Sequence, residues 1–298
     1  MERRLTLVGA PICTLAKFSG MRHFPAKLRE LGLVRRLQAL GLDVRDEGDA
    51  ELPELRGDQG PEEIKNLAPF MRDTRILADK ISGAYSEGLL LLLGGECSLI
   101  LGSVNALAPR LGGKAGVLWF DAHGDFNTPE TSPSGYIGGM CLALACGRGA
   151  HAGQILQAPP LDEACIVHVG SRALDELERE AMLSSEMRLF SAGDVKRLGA
   201  AKVASEARRL LDARASWIIL HLDVDVLDPK FISPIWPSVN YPAPGGLNPS
   251  EVLRISREVL KAGKVRALHV TAYNAALDRD GSSGRNLIAL IAELLRPI

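Results

Sequence analysis

The sequence has no basic tract and no interleaving of aromatic with basic residues. Its 35 Lys and Arg stand against 36 Asp and Glu, a formal net charge of −1. A chain so balanced carries no electrostatic footprint for a nucleic-acid backbone or an anionic bilayer. The N-terminus, MERRLTLVGAPI, meets Pro11 before any apolar run reaches signal-peptide length, so no secretory leader is expected. The leucine run Gly88–Leu93 in EGLLLLLGGE has the length of a strand, and no apolar run approaches the roughly 20 residues a bilayer requires. Cysteines are few, with five in odd number and without paired spacing. That pattern suits a reducing cytosol better than a disulfide framework. Repeats, low-complexity segments and linkers are also lacking. A cytoplasmic protein with a small-molecule ligand is expected, with neither nucleic acid nor membrane as a partner.

What the chain does have is alternation. Strand-like apolar runs at Leu5–Gly9, Leu89–Leu93, Gly116–Phe120, Ala164–Val169, Arg188–Phe190, Trp217–Leu222 and Val265–Val270 alternate with stretches of helical spacing. The helical stretches are Pro25–Gly41, Pro61–Ser86, Ser98–Ala106, Ala200–Arg214, Ser250–Ala262 and Ser283–Leu295. Such alternation predicts a mostly parallel sheet with helices on both faces, and 298 residues suit a single domain, 1–298. The proline-rich stretch Asp228–Gly246 reads as a long loop of the kind found at active sites.

Two apolar runs end in acid. VLWFDAHGDFNTPE places Asp121, His123 and Asp125 at alternate positions, and WIILHLDVDVLDP does the same with Asp223 and Asp225. In extended chain, residues two apart share a face, so each set is expected to point one way. A lone Asp-x-Asp is commonly a cap or a turn. Two such sets at the carboxyl edge of one sheet, where ligands of open α/β folds sit, predict something cationic between them. Four carboxylates and an imidazole suit two divalent ions. Manganese is the natural occupant, and zinc, cobalt or iron would also fit.

The order of VGAP, FPAKLRELGL, LLGGECSL, DAHGDFNTPETSPSG, VGSRALDELE and LDVDVLDP resembles the arginase family of ureohydrolases, which includes agmatinases and formiminoglutamases. The resemblance runs nearly end to end. It implies a three-layer α/β/α fold and a binuclear manganese site that hydrolyses a guanidino or amidino C–N bond, yielding urea or a substituted urea and an amine. Asp121 and Asp223 would bridge the ions, Asp125 would complete one site, and His123 with Asp225 the other. Asp125 would also relay a proton to the departing amine. Homo-oligomers occur in the family, so one is a candidate here. Asn127 and Ser134 match positions that contact a substrate carboxylate, and Asp175 an acid facing the α-amino group. Each has an ordinary reading too, as turn, loop and helix surface respectively. His221 shares strand parity with Asp223, either as a satisfied core histidine or as a partner orienting a bridging aspartate.

Three departures stand out. Cys97 replaces the usual ligand histidine in GGECS; it is either small core packing or a thiolate ligand favoured by a helix N-terminus and nearby cations. As thiolate it adds one negative charge and makes the cluster less electrophilic. Gly138 in SGYIGGM stands where family arginases have a proton-passing histidine. Ala272 aligns with the family glutamate that grips the guanidinium, and no glutamate lies between Lys261 and Asp280. Cysteine at the ligand position and the GGM segment are closest to the subgroup that hydrolyses N-hydroxylated arginine, whose guanidine is less basic. The alternative is a degenerate relative that binds metal or an amino acid without catalysis.

Overall fold

The computed structural model describes residues 4–232 and 238–296. Eight strands form one sheet: β1 (Arg4–Ala10), β2 (Asp43–Asp49), β3 (Leu89–Gly94), β4 (Ala115–Phe120), β5 (Ile166–Val169), β6 (Arg188–Phe190), β7 (Trp217–Asp223) and β8 (Val265–Thr271). Their spatial order is β2-β1-β3-β8-β7-β4-β5-β6, and every neighbouring pair is parallel.

The leucine run of β3 is buried at every position because both faces of the sheet are covered, as parallel sheets require. Leu89, Leu91 and Leu93 face one core, shared with the helices Phe24–Glu30, Ala200–Arg214, Pro249–Leu260 and Ser282–Leu295. Leu90 and Leu92 face the other, under Leu67–Ala84 and Leu99–Leu111. The result is the expected three-layer α/β/α architecture, with a sheet that is wholly parallel.

The differences from the sequence reading are local. Strand β2, DVRDEGD, has no apolar alternation to reveal it. It lies at the sheet edge, where charged side chains discourage pairing with other chains. Residues Glu163–Cys165 form a short 3-10 turn, so β5 begins at Ile166 rather than Ala164. The stretch Pro25–Gly41 is two helices, Phe24–Glu30 and Leu33–Gln38, broken at Gly32, whose φ of 95° a side chain rarely adopts. The segment before Leu67 is not helical. In Asp228–Gly246, a four-residue helix, Pro229–Ile232, precedes positions 233–237, which lie outside the described residues.

Four strands set the site. In the sheet, β8 and β7 lie between β3 and β4, which are consecutive in the chain. The carboxyl ends of β3, β8, β7 and β4 therefore stand side by side at the sheet centre and present Cys97, Thr271, Asp223 and Asp121 along one edge.

Candidate metal centre and its cavity

The two acidic sets converge by turns rather than by strand alternation. Asp121 follows the last residue of β4, and its Oδ1 accepts a hydrogen bond from the His123 backbone N–H at 2.7 Å. At the end of β7, Asp223 Oδ1 accepts from the Asp225 N–H, also at 2.7 Å. Each pair is an aspartate-capped turn in which the first carboxylate folds the chain back on itself. A further bond, from the Ala122 N–H to Asp225 Oδ1 at 3.1 Å, ties the two turns together. Asp125 is set by a left-handed backbone, φ 49°, a conformation that costs a non-glycine residue roughly 1–2 kcal/mol. Extended-chain parity thus fails for Asp125 and Asp225, although both reach the site. Gly124, between His123 and Asp125, has no room for a side chain: an added Cβ would lie 2.6 Å from Glu178 Cδ.

All four aspartates and Cys97 are buried. Donor atoms of Cys97, Asp121 and Asp125 lie within 4.8 Å of one another, and so do those of Asp121, His123 and Asp225. His123 is the one basic side chain that reaches these carboxylates among the described residues, with Nδ1 3.0 Å from Asp225 Oδ2 and 3.5 Å from Asp121 Oδ1. The nearby Arg172 guanidinium is engaged elsewhere, donating to backbone carbonyls that include those of Asp225 and Ala243. Burial opposes charge on His123, yet the Asp225 and Asp121 carboxylates push its pKa up to about 12. Burial raises Asp121, Asp125 and Asp223, and neighbouring carboxylates raise them further. Asp225 is held below the usual carboxylate range by His123, against the effect of burial. Burial and then Asp223, Asp125 and Asp121 push the Cys97 thiol well up, so the helix N-terminus alone does not make a thiolate. Such crowding of like charges is what a pair of cations relieves, and oxygen-rich donors with one imidazole and one sulfur fit divalent ions.

Above these residues opens a cavity of about 510 Å³. Its wall includes Cys97, His123, Asp125, Asp223 and Asp225, and, towards the mouth, Asn127, Ser134 and Asp175. Asn127 Nδ2 donates to Asp175 Oδ2 at 3.0 Å, and its Oδ1 accepts from the Thr131 hydroxyl. Asp175 precedes the helix Glu176–Leu183 and is exposed. Ser134 is exposed at the rim, with Oγ accepting from the Tyr136 N–H at 3.3 Å. Gly138 and Ala272 line the same cavity.

His221 does not orient an aspartate. Its ring stacks on Trp119 with centroids 3.6 Å apart, Nδ1 faces His269 Nδ1 at 3.3 Å, and Nε2 faces Thr271 Oγ1 at 3.4 Å. Strand parity put it on the correct side of the sheet but one residue layer too deep. Trp119 Nε1 instead donates to Asp121 Oδ2, and Thr271 Oγ1 lies 3.2 Å from Cys97 Sγ. The Cys141 thiol donates to Asp125 Oδ2 at 3.4 Å.

Sequence reasoning also passed over two buried glutamates in the wall. Glu178 accepts from the Phe126 N–H and the Asp175 N–H; the Asp-x-x-Glu spacing of a helix start was its signal. Burial lifts its carboxyl to about 7. Glu96, in the quoted GGECS, accepts from the Thr14 N–H and hydroxyl, and burial lifts it to about 7 as well. A charged residue between two glycines and the helix was signal enough.

The Arginase family matches residues 3–296. This chain belongs to the arginase family. It is accordingly a metal-dependent amidinohydrolase. The arginase of Bacillus subtilis strain 168 is 32% identical over 300 residues, covering 99% of this chain and 98% of its own. The solved arginase of Bacillus caldovelox superposes with a TM-score of 0.91 at 30% identity, over 100% of this chain and 99% of that one. The Entamoeba histolytica arginase, solved with L-ornithine, gives 0.88 at 28% identity, with 99% of each chain covered. Among the described residues of this arginase-family chain, no helix is long and apolar enough to cross a membrane.

Proposed function

We propose that this chain is a binuclear manganese hydrolase of a guanidino amino acid, and that it prefers an N-hydroxylated guanidine to plain arginine. The observation that supports it is the cluster of Cys97, Asp121, His123, Asp125, Asp223 and Asp225 at the floor of a cavity whose mouth carries Asn127, Ser134 and Asp175. Asp121 and Asp223 would be shared between the two ions in this reading, with Cys97 and Asp125 helping to hold one and His123 and Asp225 the other. Two such ions supply an acidified water and Lewis-acid stabilisation of developing charge. Asp125, steadied by Cys141, moves a proton to the leaving amine. Asn127, Ser134 and Asp175 hold the α-carboxylate and α-amino group, in keeping with the amino acid bound to the Entamoeba relative.

The preference rests on what the site lacks. Gly138 offers no proton-passing group and Ala272 no acceptor, so a strongly basic guanidinium is poorly served. General acid–base help is worth roughly 10²–10⁴-fold, a loss a less basic guanidine tolerates better. Residues 1–298 act as one cytoplasmic catalytic domain in this reading, assembling as a homo-oligomer. The test is metal content after manganese loading, followed by kcat/KM for L-arginine and N-hydroxy-L-arginine. Two ions per chain and faster use of the N-hydroxy compound are expected. One ion overturns the binuclear reading, and equal or better use of arginine overturns the preference.

A further inference from the structure

We infer that Glu96, held in place by Thr14 and Tyr136, is the acceptor that receives the donor-bearing end of the guanidino ligand, making it a specificity residue of this site. The inference rests on the guanidino reading above.

Glu96 is 2% exposed and lines the same cavity as Ala272. The Ala272 N–H donates to the Gly95 carbonyl at 2.9 Å, so the end of β8 is stitched to the residue just before Glu96. An acceptor missing from position 272 is thereby available one strand away. The carboxylate is built into the wall: Oε1 accepts from the Thr14 N–H at 2.8 Å and Oε2 from the Thr14 hydroxyl at 2.6 Å, with the Tyr136 hydroxyl and the Cys13 thiol as further partners. Thr14 makes the two close bonds, so lone-pair capacity remains for a donor on a ligand. All these partners are neutral, and among the described residues no lysine, arginine or histidine forms an ion pair with Glu96. The named wall residues Glu96, Asp125, Asp175, Glu178, Asp223 and Asp225 are acids, with His123 the one basic residue beside them. A buried anion with neutral partners is matched best by a donor arriving with the ligand.

The same pair accounts for Gly138. A Cβ on Gly138 would collide with the Tyr136 ring and lie 2.5 Å from its hydroxyl oxygen. The phenol therefore fills the space a side chain at 138 would need. Its ring is braced edge-on by Phe18 at 5.8 Å. Glycine at 138 admits Tyr136, Tyr136 steadies Glu96, and Glu96 compensates for alanine at 272.

The test uses manganese-loaded protein carrying Glu96→Gln or Tyr136→Phe. Calorimetric binding of L-arginine, N-hydroxy-L-arginine and L-norvaline is measured, with kcat/KM for the first two. L-Norvaline keeps the amino-acid end and lacks a distal donor. Glu96→Gln is expected to weaken both guanidino ligands roughly 10–100-fold and leave L-norvaline within twofold. Tyr136→Phe should give a smaller loss with the same selectivity, and it decides the matter if Glu96→Gln does not fold. Equal weakening of all three ligands, or no weakening, overturns the inference. A wild type that binds guanidino ligands without hydrolysing them defeats the hydrolase reading alone, and binding still decides Glu96. A wild type that binds none defeats both.

Discussion

The Cys97 thiol donates to the Asp223 carboxylate across 2.9 Å, joining the third residue beyond β3 to the last residue of β7. These two are 126 positions apart in the chain. Their contact puts the soft donor of the site against one of its proposed bridging carboxylates. The shared proton must leave before both can ligate a cation, so metal binding releases protons and tightens as pH rises.

Cobalt loading tests Cys97 directly. A thiolate ligand gives the cobalt protein an intense near-ultraviolet charge-transfer band, which is expected here. Cys97→His should abolish the band and keep two ions per chain, whereas Cys97→Ala should weaken one site selectively. A wild type that binds cobalt without the band would show Cys97 to be packing.

Thr271 stands between the thiol and the buried histidines, 3.2 Å from Cys97 Sγ and 3.4 Å from His221 Nε2. Thr271→Val keeps the volume and removes the hydroxyl. Metal affinity at one site should fall about 10–100-fold, as for other groups that support a ligand. Leaving His221 Nε2 without a partner should also cost about 1–3 kcal/mol in denaturant unfolding of the metal-free protein. Unchanged metal titration would remove Thr271 from the support of Cys97.

Asn127 and Asp175 are tested by separating KM from kcat. If they hold only the amino-acid end of the substrate, Asn127→Ala should raise KM by about an order of magnitude with little change in kcat. A matching fall in kcat would mean that their hydrogen bond at 3.0 Å also sets the geometry of the reacting group.

His269 supplies a pH signature of the core. Burial pulls its pKa down to about 3, against an unfolded value near 6.5. Between these values the unfolded chain binds a proton that the native protein refuses. The stability it contributes is therefore complete above about pH 6.5 and is lost as pH falls towards 3. By pH 4 the loss is about 3 kcal/mol. In urea titrations of metal-free protein, the wild type minus His269→Gln stability difference should shrink by about that much from pH 7.5 to 4. A difference independent of pH would mean that His269 protonates equally in both states.

Gly138→His should not restore a proton-passing histidine, because the Tyr136 ring holds the space. Overpacking of this kind costs about 1–3 kcal/mol, visible as a lowered Tm without a gain in arginine turnover. A gain in turnover would show that Tyr136 yields readily.

Local chemistry was legible in the sequence wherever it was contiguous. The apolar runs of β3, β4 and β7 announced buried strands because a parallel sheet covers both faces, and the acids after β4 and β7 lie within a few residues of one another. Edge strand β2 escaped notice because burial on one side by a single neighbour leaves no apolar pattern. Turn geometry, rather than alternation, aims both later acids: the Asp223 carboxylate accepts from the Asp225 backbone two residues on, and a left-handed backbone sets Asp125. Strand order decided the rest. Only with β8 and β7 inserted between β3 and β4 does Cys97 meet Asp223 and Thr271, and only the folded loops bring Thr14 and Tyr136 to Glu96. Side-chain periodicity records which face of an element is buried. Which distant element covers that face follows from the packing of the whole sheet, and that packing belongs to the tertiary structure alone.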